Sequence, residues 1–148
     1  MRYSIPLVLL IILLAPVIVA SEQCVPTRPD MLGPFYKSGA PERTEVGKGY
    51  VMVGVVRSAE DCSAVEGAVI ELWLTGPNGK YGDDYRAKMY SGKDGRYRFE
   101  SNPPLPYFGR PPHIHIKVTA NGYKELITQH YPSPNTDMAT FDLVLIPE

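Results

Sequence analysis

Proline and glycine cut this 148-residue chain into short pieces. Gly76-Pro77-Asn78-Gly79, Gly92-Lys93-Asp94-Gly95, Pro103-Pro104 and Asn121-Gly122 are turn chemistry, and no stretch between them keeps helical apolar spacing long enough to form a helix. What lies between is β-branched and aromatic. Strands are expected over 49–57, 68–75, 113–120, 123–131 and 140–146, with 88–91 and 96–100 forming a hairpin that turns Tyr97 and Phe99 inward. The second strand is the most continuously apolar and reads as central. Many short strands at close intervals give an all-β fold: a β-sandwich of short, mostly antiparallel strands. Residues 21–48 show no sustained period and read as an irregular N-terminal arm. It carries one compact apolar patch, Gly33-Pro34-Phe35-Tyr36, suited either to covering a pocket or to packing on the core.

Met1-Arg2-Tyr3-Ser4, an apolar run from Ile5 to Ala20 and the small residues before Ser21 have the form of a secretory signal peptide. The run is short for a membrane span, and Pro6 and Pro16 interrupt it. The expected organisation is a signal peptide at 1–20 and a single domain at 21–148, secreted to the periplasm or the extracellular space, with no membrane attachment after cleavage. Losing Arg2, the one charge in that segment, takes the chain from 15 basic residues to 14 against 16 acidic, a net charge near −2. Such balance argues against nucleic acid or an anionic membrane as partner. The two cysteines, Cys24 and Cys62, most simply form one disulfide in an exported chain.

The chemistry concentrates at Tyr107-Phe108-Gly109-Arg110-Pro111-Pro112-His113-Ile114-His115-Ile116. His113 and His115 alternate with isoleucines and so share one strand face, roughly 6.6 Å apart along the backbone at about 3.3 Å per residue. That is within reach of one metal ion. An amphipathic strand with two histidines turned to solvent fits the same alternation.

Beyond the local pattern, the order of segments resembles the intradiol ring-cleavage dioxygenases. Those segments are Gly33-Pro34-Phe35-Tyr36, Gly67 to Trp73 followed by Gly79-Lys80-Tyr81, Asp94 to Phe99, Arg110-Pro111-Pro112-His113-Ile114-His115 and Thr128-Gln129. The resemblance implies an Fe(3+) cofactor held by Tyr81, Tyr107, His113 and His115. It implies a small catechol-like aromatic diol and O2 as reaction partners, and ring opening between the two hydroxyls to a muconate-type diacid. Two phenolates and two imidazoles suit a hard, highly charged ion, because phenol ionises near pH 10 and needs a strong cation to displace its proton at neutrality. By the same resemblance, Tyr107 yields its place to substrate and accepts a substrate proton, Arg110 stabilises negative charge on the activated ring, and Pro34, Arg110 and Gln129 line the substrate pocket.

Tyr85 is the rival to Tyr81. The larger catechol enzymes of the family carry an N-terminal helical region that this chain has no room for. The loops joining Tyr81, Tyr107 and His113 are short, so a more open site is expected. Pro112 stands where an alanine is common, and His130 is expected at the surface, or as a group behind the ligands. Two other classes fit parts of the pattern. One is a non-catalytic β-sandwich binding module. The other is a zinc hydrolase using His113, His115 and His130, which leaves the tyrosines unexplained.

Overall fold

Alternation decides the first strand. In Tyr50–Ser58 (β1) every second residue is buried, with Tyr50, Met52, Val56 and Ser58 inward. The computed structural model describes residues 24–148; the expected signal segment at 1–20 lies outside them. Seven further strands follow: Val69–Trp73 (β2), Arg86–Tyr90 (β3), Arg96–Ser101 (β4), Ile114–Thr119 (β5), Leu126–His130 (β6), Met138–Thr140 (β7) and Leu143–Leu145 (β8). Among the described residues the one helical element is a 3-10 turn at Asp83–Tyr85, and no helix is long and apolar enough to cross a membrane.

The strands form two sheets. In one, β1 pairs antiparallel with β4 and parallel with β7 and β8; the other is fully antiparallel, in the order β3-β2-β5-β6. Their facing surfaces enclose one core, from Met52, Val56, Phe99 and Leu145 on one side to Ile70, Leu72, Ile114 and Ile116 on the other. The β-sandwich stands, and β2 is an inner strand as its continuous hydrophobicity implies.

Three expectations change. The hairpin 88–100 is absent: Gly92 to Gly95 does turn tightly, but β3 belongs to one sheet and β4 to the other. Ser91 explains the split. Its N–H reaches the Ala68 carbonyl, while its hydroxyl donates to Val65 O and accepts from Ala68 N, so the chain is held to β2 before the turn. After it, Gly95 O accepts from Val56 N and the chain continues along β1. Tyr97 and Phe99 still point inward. The stretch 140–146 is likewise two short strands, β7 and β8. Finally, His130 is buried rather than on the surface. Directly opposite Ile114 in the β5-β6 register, it faces the core, where its Nε2 shares a hydrogen bond with Tyr50 Oη at 2.7 Å.

The arm is irregular, as its composition implies, and works as an edge cover. It bonds along β6 (Asp30 N to Ile127 O), then β3 (Arg43 N to Lys88 O, Lys88 N to Pro41 O), then β4 (Val46 N to Glu100 O). These are the outer strands of the two sheets, whose unpaired backbone groups would otherwise offer pairing sites to other chains. Its start is tied by the Cys24–Cys62 disulfide, which closes a separation of 38 residues.

Reducing that disulfide, or replacing both cysteines by serine, is expected to lower unfolding free energy by up to about 4 kcal/mol on the chain-entropy estimate. Denaturant titration checks this. Burial also holds the His130 pKa below its ordinary value. The folded state then binds fewer protons than the unfolded one, so this contribution is complete above pH about 6.5 and is lost as pH falls. The melting temperature of the metal-free protein is expected to drop by a few degrees in that descent. It should drop less in His130→Gln, which keeps a hydrogen-bonding side chain for Tyr50 but does not titrate.

Candidate metal centre

The sheet register assembles the site. Trp73 on β2, His115 on β5 and Gln129 on β6 lie opposite one another, and Arg86 on β3 opposes Trp73. The four form a row across the outer face of the β3-β2-β5-β6 sheet, the face turned away from the core. A row like this is normally solvated on an antiparallel sheet. Here the arm roofs it, and His113 and His115 are only 3% and 2% exposed. The solvent-facing reading of these histidines is therefore replaced. Gly33 makes the close approach: its φ is +74°, and a Cβ there would sit 2.9 Å from His115 Cε1. Only glycine meets both demands.

Next along the arm, Phe35 stacks on Tyr81 with ring centroids 4.3 Å apart, and Tyr107 meets Phe35 edge-on at 5.2 Å. Tyr36 crosses to Glu71, donating at 3.2 Å, and its ring lies under Lys117 Nζ. The apolar patch thus covers a pocket and packs at the same time.

Three donor atoms converge. Tyr81 Oη lies 3.0 Å from His113 Nε2 and 3.1 Å from His115 Nε2, and the two imidazole nitrogens are 3.2 Å apart. This is the mutual spacing of ligands held roughly 2.1 Å from a common cation. The donors fit a metal chemically as well. His113 Nδ1 donates to the Pro111 carbonyl at 2.7 Å, which puts the lone pair on Nε2, toward Tyr81. Burial first, then the neighbouring His113 and the Arg110 charge, push His115 down to about 4, over opposing pulls from the Met31 backbone and Asp30. Burial likewise holds His113 down. Both imidazoles are neutral near pH 7 and free to ligate. Trp73 stacks flat on His115 at 4.9 Å and 5°, which orients a ring whose Nδ1 lacks a well-formed hydrogen bond. Burial pushes Tyr81 up to about 12, with Arg110 opposing. A tyrosinate there requires a cation.

Tyr107 closes the same cavity from the far wall, its ring 5.2 Å from Tyr81. Among the described residues its hydroxyl makes no hydrogen bond to either imidazole. The cavity, about 470 Å³, is also lined by Met31, Pro34, Phe108 and Arg110. Arg110 Nη2 donates to Gln129 Oε1 and to Tyr131 Oη, both at 2.8 Å. Gln129 Nε2 donates to Met31 O, and Tyr131 Oη donates to Asp30 Oδ2. Burial would raise the Asp30 carboxyl, but the Met31 N–H, Tyr131 and Arg110 together hold it below its usual range.

All four expected ligands and Pro34 and Arg110 line one cavity, with Gln129 behind Arg110. His130 does not join them, since it occupies the opposite face of β6, and among the described residues no trio of His, Cys, Asp or Glu is arranged to hold a metal. The three-histidine zinc site is thereby excluded. Tyr85 is also out of the site, its ring filling the space over Gly76. Sequence reasoning passed over Trp73, Asp30 and Tyr131. Tyr131 was within reach, because it stands two residues after Gln129 on the same face.

No family model matches the chain. A chlorocatechol 1,2-dioxygenase of Cupriavidus pinatubonensis is 34% identical over 137 residues, covering 70% of this chain and 53% of that protein. An intradiol ring-cleavage dioxygenase of Aspergillus niger is 28% identical, covering 82% of this chain and 50% of that protein. The chain thus spans about half the length of these relatives. Among solved structures, the dioxygenase domain of a dioxygenase carbohydrate-binding protein fusion from Streptomyces sp. SirexAA-E matches with a TM-score of 0.75 at 27% identity, over 83% of this chain and 99% of that one. With the sandwich, the paired tyrosines and the His-x-His strand in place, these matches assign the chain to the intradiol ring-cleavage dioxygenase family.

Proposed function

We propose that this chain binds ferric iron through Tyr81, Tyr107, His113 and His115 and uses O2 to open catechol-type rings between their two hydroxyls, giving muconate-type diacids. The observation that carries this reading is the triangle of Tyr81 Oη, His113 Nε2 and His115 Nε2 at 3.0 to 3.2 Å, facing a largely apolar cavity. Ferric iron, when bound, supplies the charge that ionises the tyrosines and the catechol and makes the ring reactive toward oxygen.

The remaining roles fall to the protein. His113 is kept as an Nε2 donor by its bond to Pro111, and His115 is kept neutral by burial and oriented by Trp73. Tyr107, partly exposed and with its hydroxyl uncommitted among the described residues, would, once ionised by the bound metal, be suited to accept a proton from an incoming diol at Oη. Arg110 has Nη2 engaged with Gln129 and Tyr131, which holds its guanidinium at the cavity wall. A permanent cation there favours anionic forms of the substrate. Phe35, stacked on Tyr81, helps keep water from that ligand. The relatives' names carry catechols with chlorine or extra hydroxyl substituents, which supports a substituted diol as substrate. A signal-like segment ahead of a formed disulfide supports action in an oxidising compartment.

Purified mature protein reconstituted with ferric iron is expected to show a visible tyrosinate-to-iron absorption that shifts on anaerobic addition of catechol, with oxygen uptake following on exposure to air. A colourless protein, or one that retains only zinc, would overturn the assignment. Tyr81→Phe is expected to weaken that absorption and to lower iron content. Arg110→Gln is expected to keep the iron while kcat/KM falls on the order of 10²-fold, read by oxygen electrode, as for loss of a charge-stabilising group.

A further inference from the structure

The cavity is larger than one catechol ring needs. Eight non-hydrogen atoms occupy at most about 240 Å³ even at the ~30 Å³ share of a liquid water, against the cavity's 470 Å³ or so. Two of the cavity's lining residues are exposed and mark its open side: Met31, 59% exposed, and Phe108, 95% exposed.

Phe108 also carries a conformational cost. Tyr107 and Arg110 exchange backbone hydrogen bonds at 3.2 and 2.9 Å across a two-residue turn. Phe108 and Gly109 have φ of +49° and +78°. Asn-Gly or Gly-Gly fits such a turn; a bulky aromatic in its first position is strained, and strain of this kind marks functional sites. Folding does not explain the residue. Its ring is in water, and its one aromatic neighbour among the described residues, Tyr107, is 6.1 Å away at a tilted 35°. The aromatic wall is nevertheless continuous, from Tyr81 through Phe35 and Tyr107 to Phe108 at the mouth.

We infer that Phe108 and Met31 form a second, distal subsite for an aryl or similarly large apolar substituent of the diol, so that the site takes multi-ring catechols in preference to free catechol. The inference rests on the dioxygenase reading for the identity of the ring at the metal end. The distal contacts are an aromatic face and a polarisable thioether, both of which favour a flat apolar group over a charged one.

The test compares 4-phenylcatechol with catechol on the iron-loaded full chain and on Phe108→Asn, a residue that accepts the left-handed conformation. The wild type is expected to prefer 4-phenylcatechol by about tenfold in kcat/KM, chiefly through KM, and Phe108→Asn is expected to erase most of that preference. Its melting temperature should rise as the strain is removed. A second readout needs no metal. Trp73, the chain's one tryptophan, stacks on His115, and quenching of its fluorescence by 4-phenylcatechol should require about tenfold more ligand in the variant. If no diol is consumed yet that binding difference holds, the dioxygenase reading fails and the subsite stands. Equal loss on both diols would make Phe108 a support for Tyr107 and overturn the subsite. Unchanged preference and binding would overturn it too, as would a wild-type dimer that the variant dissolves, since a second copy would then be what covers Phe108.

Discussion

The arm crosses the outer face of the β3-β2-β5-β6 sheet, and the chemistry of the site depends on that crossing. An antiparallel sheet ordinarily leaves such a face to water, where imidazoles titrate near their usual value and a metal must compete with solvent. Gly33 lies against His115, and Phe35 lies against Tyr81. Together they turn a solvated row into a buried one without adding a layer of regular structure. The arm holds its course because its backbone is bonded to three edge strands in turn and its start is bonded covalently to Cys62. Edge protection and site construction thus fall to one segment of chain.

Burial then sets the electrostatics. It presses the two histidines toward neutrality and Tyr81 toward the phenol, so these three groups alone carry no charge at neutral pH. The charge near the cavity comes from Arg110, and Asp30 is tied to it through Tyr131. A site of that kind has little to offer a divalent ion beyond two neutral nitrogens. It would ligate strongly only a cation able to ionise the phenols, as the proposed ferric ion would. The Gln129 and Tyr131 bonds also anchor Arg110, so its position does not depend on the substrate.

Much of this was legible from local patterns. Alternation placed His113 and His115 on one face, turn residues delimited most of the strands, and the motif order located both tyrosines. What failed shares a physical cause. Periodicity shows which residues share a face but not what covers that face, so His113 and His115 could be read as solvent-facing and His130 as a surface residue, although all three are buried. A tight turn shows that the chain reverses but not that the two sides pair. At Gly92 to Gly95 the bonds of Ser91 to the 65–68 stretch decide otherwise. Trp73 reads as a core residue in a continuous apolar strand; that it faces the imidazole side follows only from the register with β5.

The Tyr107 to Arg110 turn couples two residues of the site directly. A candidate ligand and the cation that would stabilise developing charge sit at the two ends of a turn with only Phe108 and Gly109 between them, locked by reciprocal backbone bonds. Neither end can shift without moving the other, because the turn has no slack to absorb a change in φ. Loop 101–106 is itself fastened: Asn102 Nδ2 donates to Thr75 O, and the Thr75 hydroxyl exchanges bonds with Leu105. Tyr107 is therefore referenced to the end of β2, just beyond Trp73, while Arg110 leads through Pro111 and Pro112 to His113 and then into β5, which carries His115. With so few residues in the walls, ligand geometry is specified tightly and the mouth loosely.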